Sequence, residues 1–188
     1  SKVDVLASQI QKRAPFTKVN VTNEAVDKNS ILSLISHYDI VVDGTDNLQI
    51  KYLINDACVL SKKPLVYGSL YKFDGYVATF NVVDNDGNYS CNLRDAFPNI
   101  ATDIPNCEEA GTLNPIVGLI AMLQVNEVIK LITKTGSLLV NQLLIYNTLE
   151  NSQFRMKLKK NKSINIENIF KNSIYLDAHC KTQNSSLL

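Results

Sequence analysis

Glycine is scarce. The 188 residues contain 7 glycines, the first of them Gly44, about half the usage of an average protein, which is roughly 7%. No two form a GxG pair, so these residues hold no glycine-rich phosphate-cradling turn of the usual dinucleotide kind. Cysteine pairs are absent too. Cys58, Cys91, Cys107 and Cys180 are scattered without a CxxC, which excludes a secreted disulfide framework and predicts reduced thiols in the cytoplasm. Neither sign of charge dominates: 19 basic and 18 acidic residues leave +1. That argues against nonspecific nucleic-acid binding or a polybasic membrane contact. No leader-like segment opens the chain, and its most apolar stretch, residues 115–132, carries Gln124, Asn126, Glu127 and Lys130. It reads as a buried helix rather than a membrane span.

What is present has the proportions of one soluble domain, with 45% hydrophobic and 20% charged residues. Val3, Leu6 and Ile10 predict a helix over residues 2–13. Residues 18–21 alternate like a short strand. A helix is expected over 30–37, capped by Asn29 or Ser30. Residues 39–43 form an apolar strand of the parallel type, followed by the polar turn Gly44-Thr45-Asp46-Asn47 and a helix over 48–60. Strands are expected over 65–67 and 75–83. Residues 84–114 lack periodicity and hold Pro98 and Pro105, so a long functional loop is expected there. Asn114-Pro115 opens the next helix as cap and first residue. Strands over 138–146 and 153–158 complete the series. The alternation is that of a doubly wound α/β sheet entered on a helix. The basic run Arg155, Lys157, Lys159, Lys160, Lys162 reads as a solvated face or a domain edge.

The turn after residues 39–43 is the candidate site. Ligands of open α/β sheets bind beyond the carboxyl ends of strands. There a carboxylate such as Asp46 can hold Mg²⁺, and a helix start can meet phosphate. The competing reading makes Asp46 and Asn47 simple helix caps, and spacing alone favours it.

Several ordered segments are more specific. They are Asp39-Ile-Val-Val-Asp-Gly-Thr-Asp-Asn47, Lys51-Tyr-Leu-Ile-Asn-Asp-Ala-Cys58, Lys63-Pro-Leu-Val-Tyr-Gly-Ser69 and Phe73-Asp-Gly75. Asn92-Leu-Arg-Asp-Ala-Phe-Pro98, Pro105-Asn-Cys-Glu-Glu-Ala-Gly111 and residues 118–130 follow. Together they resemble the ThiF/MoeB/HesA family, bacterial relatives of ubiquitin-activating enzymes, over roughly residues 1 to 160. The resemblance implies a Rossmann-like doubly wound sheet with an added antiparallel portion. It also implies adenylylation of the C-terminal carboxylate of a ubiquitin-like sulfur carrier of the ThiS or MoaD type. ATP and Mg²⁺ would be consumed in the service of thiamine or molybdopterin biosynthesis, with a tRNA-modifying role a lesser option. A homodimer is expected.

On this resemblance Asp46 takes the family's Mg²⁺/ATP aspartate position, Asn47 lies beside it in the cofactor site, and Lys2 falls on the lysine that neutralises ATP phosphates. Cys107 matches a cysteine that some members use in sulfur transfer and others keep without needing; Glu108 and Glu109 would oppose its ionisation. Cys58 reads as a core residue. Lys51 stands where the family usually has arginine, keeping the charge without the two-pronged donor. Many relatives bind zinc through two CxxC pairs; Cys91, Cys180 and His179 do not make such a set, residues 85–98 resemble the zinc-free members, and no structural zinc is expected. Residues 161–188 are expected to be a poorly ordered end, or the start of a rhodanese-like domain. Family members begin with a strand, GxGxxG and a helix, so the sequence reads as an N-terminally truncated, C-terminal portion. Alone it should bind ATP poorly. The alternative function is a non-catalytic remnant or a carrier-binding interaction module.

Overall fold

The structure is a computed structural model that describes residues 1–100 and 111–175. The chain divides into two compact units, with residues 1–27 in the first and Lys28 opening the second. In the first, helix α1 (Lys2–Arg13) begins at a capping box. The Ser1 hydroxyl accepts from the Asp4 amide, while the Asp4 carboxylate accepts from the Ser1 amino group. Both otherwise orphaned donors are thereby satisfied. Residues 18–21 are not a strand. Their alternation finds no partner strand among the described residues, and an unpaired strand has nothing to satisfy its backbone.

The second unit contains α2 (Ile31–Ser36), β1 (Val41–Asp43), α3 (Leu48–Leu60), β2 (Leu65–Tyr71) and β3 (Asp74–Phe80). It continues with α4 (Leu93–Ala96), α5 (Asn114–Thr133), β4 (Gln142–Asn147), β5 (Ser152–Lys157) and α6 (Ile166–Asn172). The strands form one sheet in the order β1-β2-β3-β4-β5. Only β1 and β2 are parallel, with Val42 opposite Val66; the other neighbours run antiparallel. The expected doubly wound sheet is therefore a mixed one. The cause lies between Tyr71 and Asp74, which pair directly across a two-residue turn. Such a turn returns the chain antiparallel, whereas a parallel return needs a long crossover. Lys72 takes the left-handed conformation there, at φ 53°.

Helices cover both faces. An added Cβ at Gly68 would strike Gln124 of α5, and one at Gly75 would strike Ile120. Tyr67, the neighbour of Gly68, instead lies under Lys51 of α3. Successive strand residues point to opposite faces, so α5 and α3 lie on opposite sides of the sheet. On the α5 side, Ile116 and Ile120 pack with Val77, Leu139 and Leu144.

The helix over 114–133 is not buried all round. Ile116, Ile120, Gln124 and Glu127 form its one buried stripe. Its length and composition would suit a membrane span. Its buried polar residues, however, are bonded to the sheet side of the fold: Gln124 to the carbonyls of Asp43 and Val66, and Glu127 to Thr79 and the Leu139 amide. Glu127 is also ion-paired with Lys130. Leu113, not Asn114, is the cap residue, because the helix starts one position earlier than its polar residue suggests.

Two further segments carry structure. The region after residue 84 contains a helical turn, α4, closed by a capping box of Asn92 and Asp95. Of the tail over 161–188, the described part, residues 161–175, includes α6: Ile166, Phe170 and Tyr175 are buried, α6 packs on α3, and the remainder lies outside the described residues.

Candidate active site

The carboxyl end of β1 is built around a carboxylate that sequence reasoning passed over. Asp43 is 0% exposed. Its Oδ1 accepts from the Thr45 amide at 2.9 Å and the Thr45 hydroxyl at 2.7 Å, which folds the chain into the turn toward α3. Its Oδ2 pairs with Lys51 Nζ at 3.1 Å, and Lys51 donates also to the Gly68 carbonyl at 2.6 Å. Gln124 fixes the Asp43 carbonyl at 2.8 Å. A buried carboxylate is tolerated when charge-paired and fully bonded, and Asp43 is both. The one sequence signal was its place at the strand end, two residues before a hydroxyl that can bond back.

This arrangement explains Lys51. The lysine expected at an arginine position of the family points inward. Its compact ammonium ties the end of β1 to β2, over the Tyr67 ring at 5.1 Å. Burial of that ring, helped by the nearby Asp43 charge and only partly offset by its hydrogen bond to Ser69, pushes the Tyr67 hydroxyl well up. Cys58 of α3 is a core residue as expected; burial, reinforced by Asp43, pushes its thiol up to about 12.

Beyond the anchor, the turn presents its next residues to solvent. Asp46 and Asn47 are both exposed. The Asn47 side-chain oxygen accepts from the Ile50 amide at 3.0 Å and caps α3. The capping alternative thus describes Asn47. No bond or ion pair engages the Asp46 carboxylate among the described residues. It stands beside the start of a 13-residue helix, whose dipole favours an anion. Lys2 is exposed in the first turn of α1, in the other unit. Cys107 lies outside the described residues, as do Cys180 and His179. Cys91 is buried, and no group of three metal-ligating side chains occurs among the described residues.

Asp46 fits the chemistry of a single Mg²⁺ ligand. Mg²⁺ is commonly held by one or two carboxylates together with substrate phosphates, and Asp46 can supply one. Gly44, beside it, has nothing within 4 Å of an added Cβ, so it is not a glycine required by close packing.

The sequence matches the ThiF family over residues 1–167. The chain belongs to that family. It is 39% identical over 148 residues to "Adenylyltransferase and sulfurtransferase MOCS3" of Dictyostelium discoideum, covering 78% of this chain and 34% of that protein. It is 33% identical over 162 residues to the "Sulfur carrier protein adenylyltransferase" of Thermus thermophilus, covering 85% and 60% respectively. Among solved structures, E. coli MccB with ATP superposes with a TM-score of 0.68 at 17% identity, covering 86% of this chain and 49% of MccB. At that identity the likeness concerns the fold alone. The chain thus spans between about a third and 60% of the relatives' length. The ThiF match extends into α6, past the expected end of the resemblance near residue 160.

Proposed function

We propose that this ThiF-family chain forms part of an enzyme that adenylylates the C-terminal carboxylate of a ubiquitin-like sulfur carrier with ATP and Mg²⁺. The observation that carries the proposal is Asp46, an exposed carboxylate without a described partner at the carboxyl end of the parallel strand pair. The turn that presents it is held by Asp43, Thr45 and Lys51. The carrier carboxylate would attack the α-phosphate and expel pyrophosphate. Asp46 would hold Mg²⁺ against the phosphates, and the start of α3 would face developing negative charge. Bound Mg²⁺ screens phosphate charge. Adenylyltransferase relatives that act on sulfur carriers support the substrate class. Cys107 is kept as the candidate thiol for a later sulfur step, and the carrier could serve either thiamine or molybdopterin synthesis.

The phosphate-cradling glycines are assigned to residues outside these 188, since no GxG occurs within them. Carrier-dependent ATP–pyrophosphate exchange tests this. The 188-residue chain should show negligible exchange. The complete open reading frame should show it, with Asp46→Asn lowering the rate at least 100-fold at unchanged fold. Robust exchange by the 188-residue chain would overturn the assignment of the glycines. Full activity in the Asp46→Asn variant would overturn the role of Asp46. No exchange from the complete frame with any carrier would favour the interaction-module reading.

The second copy of an expected homodimer is assigned to the face of α5 that no described residue covers. Met122, Val125, Ile129 and Ile132 are exposed there at i, i+3, i+7 and i+10, opposite the buried stripe.

A further inference from the structure

Away from β1, a second buried polar cluster joins three segments distant in sequence. Asp56 on α3 is 0% exposed. Arg94 on α4 grips it with both prongs: Nε lies 2.8 and 3.0 Å from the two carboxylate oxygens, and Nη2 lies 2.7 Å from Oδ2. Asn55 donates to the Oδ1 side at 3.0 Å. Tyr175, beyond α6, donates its hydroxyl to Oδ2. Arg94 also lies over the Tyr52 ring at 4.8 Å and donates to the Pro98 carbonyl at 3.2 Å. The Tyr52 hydroxyl reaches the carbonyls of Phe97 and Asn99 at 2.9 and 3.0 Å.

The C-terminal side of this cluster is clamped at several points. The Asn161 amide donates to Asp95 of α4 at 2.7 Å. Lys28 donates to the Lys171 and Ser173 carbonyls at the end of α6 and lies over the Phe170 ring at 5.6 Å. Phe170 in turn packs on Tyr175, with ring centroids 5.9 Å apart. A helix of seven residues would not hold by itself, so α6 keeps its place through these contacts.

We propose that residues 161–175 form a strap that fixes the backbone leaving α4. The Tyr175 hydroxyl holds the Asp56 carboxylate in the plane that Arg94 needs, and Arg94 with Tyr52 then holds the carbonyls of residues 97–99. The planar guanidinium transmits this restraint because its two-pronged bond has one orientation. A tyrosine that only filled space would restrain α6 and leave residues 92–100 untouched.

Hydrogen–deuterium exchange on the 188-residue chain separates the two cases. Tyr175→Phe keeps the ring and removes one hydroxyl. The expected result is at least fivefold faster exchange in peptides covering residues 92–100, with residues 65–80 of β2 and β3 unchanged. Reciprocally, Arg94→Lys should speed exchange over residues 166–173 by a similar factor, because coupling between two sites runs both ways. Faster exchange at α6 alone in Tyr175→Phe would overturn the strap. So would a uniform increase across the sheet, or an Arg94→Lys variant that loosens residues 92–100 without touching α6.

Discussion

Cys58 shows how the interior sets the chemistry of a single atom. A thiol in an unfolded chain ionises near pH 8.5. In the fold, burial and then the Asp43 charge push it up to about 12. Between those values the unfolded chain loses a proton that the native protein keeps, so stability falls as pH rises. The slope is about 1.4 kcal/mol per pH unit for one such thiol. Below about pH 8 the effect vanishes. Cys91 is shifted in the same direction, mainly by burial, so the cleanest measurement is a difference. Urea unfolding of the native protein and Cys58→Ala, both with reductant, should show a stability gap that narrows by about that slope from pH 9 to 11. A gap independent of pH would contradict it. Legibility differs within the same few residues. Asn47 was readable as a cap because a cap needs only local sequence. Asp43 and Lys51 were not, because a strand of three residues does not tell which face a side chain takes until β2 lies beside it.

The elements meet most closely where α5 crosses β2 and β3. Gly75 leaves room for Ile120: an added Cβ would lie 2.4 Å from both Cγ1 and Cδ1 of that side chain. Gly75→Ala should therefore destabilise the fold by about 1–3 kcal/mol through overpacking. In an Ile120→Ala background the clash is gone, and the same substitution should cost much less; equal costs in the two backgrounds, measured by denaturant unfolding, would refute the contact. The sequence pattern located α3 with its boundaries because a capping residue and an apolar run coincide there. It extended β3 to residue 83 because the alternation continues. The strand in fact stops at Phe80, where Asn81 turns left-handed at φ 57° and donates its side-chain amide to the Cys58 and Lys63 carbonyls. Four-residue α4 is too short to show a period; its only sequence signal was Asn92 with Asp95 three residues on. Gly75 itself was legible as part of a motif, but its reason, the approach of Ile120, exists only once the helix is packed.

At the scale of the molecule, α5 is divided lengthwise into one stripe that belongs to the core and one that has no covering element among the described residues. Met122 is 65% and Ile132 66% exposed, at opposite ends of the uncovered stripe. A helix of 20 residues is about 30 Å long, so a stripe about 10 Å wide offers on the order of 300 Å². A stable dimer of standard size buries roughly 800 Å² on each partner, so α5 would form the centre of an interface completed by surface outside it. A few side chains near the centre carry most of the energy of such contacts. Introducing charge there should break the dimer without disturbing the core, because Met122 and Ile129 are 65% and 51% exposed and lie on the helix face opposite Ile116, Ile120, Gln124 and Glu127. Sedimentation equilibrium should give a dimer for the native protein and a monomer for the double substitution Met122→Asp with Ile129→Asp, the far-ultraviolet circular dichroism remaining the same. A native monomer across the micromolar range, or a double variant that still dimerises, would remove α5 from the interface and leave its apolar face to another partner.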